Sequence, residues 1–250
     1  MDLYTQLLQN YEDTLSTDVA RRVRFIRDTV EGAGAKGALV GLSGGIDSAV
    51  VLALLVKALG EERVLALWLP IESDPRHAQD AQTVAETFGV KLHTIDLIEP
   101  YRAFLGVIKE ALSGGLTYTG NIKARLRMIA LYAYANALGY LVSDTSNRSE
   151  LYVGYITKGG DAVADFNPLA SLVKAQVRLL ARYLGIPEAV IEKPPSADLF
   201  PGQNDENELG VTYEALDRYL LTGEGEPEVV RRIEYLHAIS RHKREPMSSI

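Results

Sequence analysis

The sequence contains no cysteine, and that absence removes disulfides, thiolate zinc sites and every mechanism built on a cysteine nucleophile. It also has no run approaching the roughly 18 consecutive apolar residues of a membrane span. Met1-Asp2-Leu3-Tyr4 opens without the basic, apolar and small-residue succession of a secretory signal. A soluble protein of the cytoplasm, with no membrane partner, is therefore expected. Lysine and arginine number 26 against 33 aspartates and glutamates, a formal charge of −7. A phosphate backbone is held by a clustered cationic excess, so the balance argues against nucleic acid as a partner. Arg241-His242-Lys243-Arg244 is the exception, and by composition alone it reads as a solvated charged tail. Internal repeats and low-complexity segments are absent too.

What is there, 250 residues with 47% hydrophobic and 24% charged, suffices for one α/β domain with a sizeable core. Val19, Val23, Ile26 and Val30 recur at helical spacing over 18–31, with Ser16 or Thr17 as a cap. Gly37 to Leu42 is a short apolar run of strand type, and Ala49 to Leu59, ended by Gly60, reads as a buried helix. The pattern continues with a strand over 63–69, a helix over 75–88, a strand over 91–96 and a strand over 140–143. Strands alternating with helices predict a doubly wound, mostly parallel sheet covered by helices on both faces. Ligands of such sheets sit at the carboxyl ends of the strands. The helix over 122–138 is apolar nearly all round and must be covered on more than one side, either at the centre of the domain or against a second subunit. The second subunit is the reading adopted. The stretch beyond Pro194 is rich in turn formers and reads as a mobile loop over a site near 196–209; two amphipathic helices, over 213–221 and 227–240, close the chain.

Between the first strand and its helix lies Gly41-Leu42-Ser43-Gly44-Gly45-Ile46-Asp47-Ser48. A strand-to-helix turn aims several backbone N–H groups at one spot, and the helix dipole adds partial positive charge there. Gly44 and Gly45 permit close backbone approach to an anion, while Ser43 and Ser48 offer hydroxyl donors. Phosphate is the natural guest. The turn has neither the Gly-x-x-x-x-Gly-Lys-Ser/Thr spacing nor Gly-x-Gly-x-x-Gly. Asp47 would repel phosphate unless a cation bridged the two, and Mg2+ takes one or two carboxylates beside phosphate oxygens.

Ser-Gly-Gly-x-Asp-Ser after a strand resembles the signature of the N-type ATP pyrophosphatases, whose fold is adenine nucleotide alpha hydrolase-like, or Rossmann-like. That resemblance implies that ATP is split to AMP and pyrophosphate, with the loop, Gly41 and Ser43 to Ser48, holding the β and γ phosphates. Thiolating and queuosine-pathway members depend on cysteine and drop out. The remaining segments resemble the ammonia-dependent NAD synthetases, over nearly the whole of residues 1–250. The matching segments are Arg22-Val23-Arg24-Phe25-Ile26, Gly120-Asn121-Ile122-Lys123-Ala124-Arg125-Leu126-Arg127-Met128, Thr145 to Glu150, Thr157 to Asp161 and Pro195-Ser196-Ala197-Asp198-Leu199, followed by His242-Lys243-Arg244.

The resemblance implies a ligase for deamido-NAD, with Asp47 and Glu150 as magnesium ligands and Lys174 on the phosphates. Thr145 and Ser196 are implied in ATP binding. Asn121, Arg125, Lys158, Asp165, His242 and Lys243 are implied in deamido-NAD binding, with Arg125 reaching substrate held mainly by the other subunit of a homodimer. The expected chemistry is adenylation of the nicotinate carboxylate, then attack by free ammonia, since the chain has no cysteine for a glutaminase. Ser196 departs from the usual threonine, Ser143-Asp144 replaces a Gly-containing approach to Thr145, and Ser73 to His77 replaces a Ser/Tyr-rich stretch. His77 and His93 receive no role. A free-standing GMP synthetase subunit and a non-catalytic adenine-nucleotide binder of the same fold are the rival readings.

Overall fold

The computed structural model describes residues 1–108, 116–196, 198–200, 202–246 and 249. Two helices, α1 (Leu3–Asp13) and α2 (Leu15–Gly32), lead into β1 (Gly37–Gly41) and α3 (Ile46–Leu59). Then come β2 (Val64–Trp68), α4 (Pro75–Thr87), β3 (Leu92–Thr94), α5 (Ile98–Ile108), α6 (Leu116–Leu138) and β4 (Tyr140–Val142). The rest is helical: α7 (Arg148–Val153), α8 (Lys174–Leu184), α9 (Glu188–Ile191), α10 (Asp205–Leu209), α11 (Tyr213–Thr222), α12 (Pro227–Ile239) and α13 (Arg241–Arg244).

Among the described residues the four strands form one parallel sheet in the order β3-β2-β1-β4. The chain winds outward from β1 to β2 and β3, then returns to place β4 on the other side of β1. Strand order reverses there, and the reversal opens a crevice at the carboxyl ends of β1 and β4. Successive side chains of β1 serve opposite faces. Ala38 and Val40 join the core formed with α2, α3, α4 and α8, whereas Leu39 packs with Ala135 of α6 and Val142. Helix α3 explains why this works: ten of its residues are buried, Ile46 and the run from Ser48 to Leu55 with Ala58, so it is covered by α2 and α8 as well as by the sheet.

Several details differ from expectation. The helix predicted from residue 18 starts at Leu15, so neither Ser16 nor Thr17 caps it; Thr14 stands at its N-cap, and its hydroxyl donates back to Asn10 O and Tyr11 O of α1 rather than capping an α2 amide. Helix α3 begins at Ile46 rather than Ala49, because the last residues of the Gly-rich turn are its first turn. The expected loop beyond Pro194 contains α10, capped by the Asn204 side chain, which accepts from Asn207 N. Ala197 and Pro201 of that stretch lie outside the described residues. Helix α6 was expected to be covered on more than one side, yet within the single chain Ile129 is 57% exposed, and Tyr134 and Leu138 are exposed as well.

The Arg22 motif has a structural job. Arg22 Nε and Nη2 donate to the two carboxylate oxygens of Asp18 at 2.7 and 3.2 Å, while Nη1 reaches Pro168 O and Nη2 also reaches Ser171 Oγ. Both side chains are buried, so the pair fastens α2 to the segment before α8. Burial pushes the Asp18 carboxyl up, but the Arg22 bonds and charge outweigh it and hold the group below the ordinary carboxylate range. A depressed carboxyl stabilises the fold above its unfolded pKa, and the contribution is lost as the pH falls through the folded value. Asp18→Ala leaves a buried guanidinium without its partner and is expected to destabilise the protein by about 3–5 kcal/mol. Urea unfolding at neutral pH measures it; a midpoint equal to that of the parent would show the pair to be dispensable.

Candidate active site

The Gly-rich turn leaves β1 at the strand reversal and is shaped by its own serines. Ser48 Oγ donates to Gly45 O at 3.0 Å and accepts from Ser43 N at 3.2 Å, and the two hydroxyls lie 3.1 Å apart. Ser48 is buried, so its hydroxyl serves the turn before it serves any ligand. Gly44 adopts φ +76°, and a Cβ there would lie 2.4 Å from the carbonyl oxygen of His77 in α4. The turn is thus pressed against α4 as only glycine allows. Gly45 is the N-cap of α3 and no side chain caps the helix. The first residues of α3 line the crevice, and an uncapped helix start is an anion-binding arrangement.

Three charged side chains from three helices meet beneath that turn. Lys174 Nζ, at the start of α8, donates to Asp47 Oδ2 at 2.5 Å and lies 3.3 Å from Glu150 Oε1 on α7. The three side chains are 5%, 16% and 15% exposed. Asn147 holds two of them in place: its Nδ2 donates to Asp47 Oδ1 at 2.9 Å, and it forms a reciprocal capping box with Glu150. Burial, then the neighbouring Asp47 charge, pushes the Glu150 carboxyl up to about 8, against the opposing pull of Lys174. Burial would lower Lys174, but Asp47 and Glu150 together keep it above its ordinary range and charged. Two carboxyl groups share one ammonium, and a further cation arriving beside them would favour the ionised form of Glu150.

These groups line a cleft of about 280 Å³. Gly41, Ser43, Gly45, Ile46, Asp47 and Ser48 border it, as do Thr145, Glu150, Lys174 and Ser196. Gly44 stands behind this wall, against α4. The other six candidates do not border the cleft; most of them form a second patch. Arg125 on α6 donates to Lys158 O at 3.1 Å, Asn121 accepts from Thr157 Oγ1 at 2.9 Å, and Lys158 Nζ donates to His242 O at 2.6 Å. Lys243 Nζ is engaged by the carbonyls of Gly154 and Ile156, both at 2.8 Å, and Asp165 accepts from Val142 N at 2.7 Å.

The sequence pattern described as NAD synthase matches residues 18–247. The chain belongs to the NAD synthase family. It is 48% identical to an NH(3)-dependent NAD(+) synthetase of Syntrophomonas wolfei over 228 residues, 89% of this chain and 91% of that one. Among solved structures it resembles NMN synthetase from Francisella tularensis, with a TM-score of 0.90 and 38% identity over 94% and 98% of the two chains. The NH3-dependent NAD synthetase from Campylobacter jejuni, in complex with nitrate, gives 0.78 and 31% over the same shares. The fold is the adenine nucleotide alpha hydrolase-like α/β fold expected from the motif.

Membership of the family leaves several neighbours of the cleft that the motifs did not single out. Asn147 was legible, because Asn-x-x-Glu is a capping-box spacing. Lys193 was not: its Nζ bonds Asp80 of α4 at 2.5 Å and Gly44 O at 3.3 Å, joining two elements distant in sequence. Arg127 donates to Leu69 O and Ser73 Oγ, so α6 fixes the loop after β2. His77, given no role, borders the cleft and backs the glycine turn with its carbonyl.

Proposed function

We propose that the chain amidates the nicotinate carboxylate of deamido-NAD with free ammonia, using ATP and releasing AMP and pyrophosphate. The observation that carries this reading is the meeting of Asp47, Glu150 and Lys174 beneath the uncapped start of α3, in a chain of the NAD synthase family. The turn and the α3 amides hold the β and γ phosphates. A carboxylate oxygen attacks the α-phosphorus, and the bond from that phosphorus to the bridging oxygen breaks as pyrophosphate leaves. Lys174 stabilises the charge collecting on the leaving group. Ammonia then attacks the carbonyl carbon of the adenylate, loses a proton, and AMP departs with the carbon–oxygen bonding pair. Positioning and charge stabilisation suffice, and no protein nucleophile is used.

Asp47 and Glu150 fit a magnesium ion. Their Oδ2 and Oε1 atoms already converge on one cationic nitrogen, and both are the oxygen donors that the ion takes. Among the described residues no group of three or more His, Cys, Asp or Glu side chains could hold a metal, so phosphate oxygens and water would complete the shell. Bound there, the ion would supply charge neutralisation and polarisation of phosphoryl oxygens.

A homodimer in the cytoplasm completes the reading. The exposed apolar residues of α6, Ile129, Tyr134 and Leu138, suit a second copy of the chain. The patch of Asn121, Arg125, Lys158 and His242, with Asp165 and Lys243, then serves the dinucleotide across that interface. A second reading, amidation of nicotinate mononucleotide, draws support from the likeness to the Francisella NMN synthetase.

Pyrophosphate release tests these readings together, with purified protein, ATP, magnesium and an ammonium salt, offered deamido-NAD, nicotinate mononucleotide or xanthosine monophosphate in turn. The expected result is turnover on deamido-NAD without glutamine, rising with pH as ammonium deprotonates and abolished by EDTA. Turnover on the mononucleotide alone would favour the second reading, and on xanthosine monophosphate alone would sink both. Activity only after a glutaminase is added would overturn the nitrogen source.

A further inference from the structure

Helix α8 starts at Lys174, yet its N-cap is Val173, whose side chain has no oxygen to offer the first amides. Those amides are capped from elsewhere. Ala175 N donates to Asp217 Oδ2 at 2.7 Å, and Lys174 N donates to Ser149 Oγ at 3.2 Å. Ser149 Oγ in turn donates to Asp217 Oδ1 at 2.5 Å. The carboxylate comes from α11 and the hydroxyl from α7, so three helices join at one buried point. Asp217 is 1% exposed and Ser149 fully buried.

The position is costly for a charge. Burial raises the Asp217 carboxyl to about 6, offset by the Ser149 hydroxyl and the α8 amides. An anion at a helix N-terminus is favourable, but cohesion alone does not require one here. Buried polar groups can often be replaced by apolar ones of similar shape at no loss of stability, and Asp217 stands on the same helix face as the buried Tyr213 and Leu216. What the carboxylate adds is direction. Its partners are the backbone amide next to that of Lys174 and the side chain of the residue before Glu150. These two stretches carry the ammonium and the carboxylate that meet 3.3 Å apart at the crevice.

We propose that Asp217, acting through Ser149 and the first amides of α8, is a positioning residue that sets Lys174 and Glu150 in register with Asp47. The inference rests on the reading that those three side chains act on the departing pyrophosphate. Asp217 touches no reacting atom; it works through the backbone that launches the groups that do. A displacement of about 1 Å at the reacting centre can lower a rate by 10²-fold, so the loss of this tie is felt at the chemical step rather than in substrate capture.

The test compares Asp217→Asn, Ser149→Ala and the double variant with the parent, using Lys174→Met as a reference. Thermal midpoint, kcat, and the KM for ATP and for the nicotinate substrate are measured for each. The expected result is a folded Asp217→Asn protein with kcat lowered about 10- to 100-fold and the KM for the nicotinate substrate little changed. The double variant should be no slower than the slower single one, because the two side chains form one device. If Asp217→Asn does not fold, Ser149→Ala decides alone by the same split. Wild-type kcat in the deciding variant, with Lys174→Met inactive, overturns the positioning role and leaves the reading of the site intact. Wild-type kcat in Lys174→Met overturns that reading itself.

Discussion

Lys174→Met is expected to lower pyrophosphate release by about 10²- to 10³-fold at saturating substrates, the loss typical of removing one stabiliser of developing negative charge. Methionine keeps the length and the apolar stem of lysine and deletes only the charge and its donors. In the parent that charge lies 2.5 Å from Asp47 and 3.3 Å from Glu150. Without it, two mostly buried carboxylates face one another with no cation between them. Glu150, already raised to about 8 beside Asp47, would then hold its proton more tightly still. The leaving group would lose its countercharge. Initial rates across an ATP series, followed by pyrophosphate release, measure the effect. A variant turning over at the parent's rate would show that Lys174 only neutralises its two neighbours. A fall confined to the KM for ATP would make the lysine a binding group with no special hold on the transition state.

The fold was legible wherever local pattern and environment agreed. The apolar run of β1, the turn, and the continuous apolar stretch of α3 belong to a βα unit whose helix is buried on nearly every side. Errors came where a local rule met a neighbouring element that it did not include. Ser16 and Thr17 looked like caps, but α1 runs almost directly into α2 and moves the start to Leu15. Asp47 stood out because a glycine turn containing a carboxylate makes a specific chemical demand, whereas Glu150 and Lys174 were singled out only through the family resemblance; the fold brings the three side chains together. The supports of the site were less legible. Asp217 sits at i+4 from Tyr213 and beside Leu216 on a buried stripe, which marks a buried acid but not its partners. Lys193 offered no local signal, since Asp80 and Gly44 lie more than a hundred residues away.

Gly44→Ala is the severest test of the turn itself. Alanine must adopt φ +76°, which costs about 1–2 kcal/mol in the left-handed region, and its Cβ would stand 2.4 Å from the backbone oxygen of His77. A backbone atom in the first turns of α4 cannot swing aside as a side chain would, so either α4 or the glycine turn must move. Gly60 separates the two causes: it has φ +80° but nothing within 4 Å of a Cβ. Gly60→Ala should therefore lose stability through strain while keeping the parent's turnover. Gly44→Ala should lose stability by about 1–3 kcal/mol and turnover by about 10²-fold or more, as the amides that face the phosphates are displaced. Urea unfolding and pyrophosphate release on the same two preparations give the comparison. If both variants kept full turnover, the close seat of the turn on α4 would have no part in holding the phosphates. The anion site would then rest on the α3 amides and Lys174 alone.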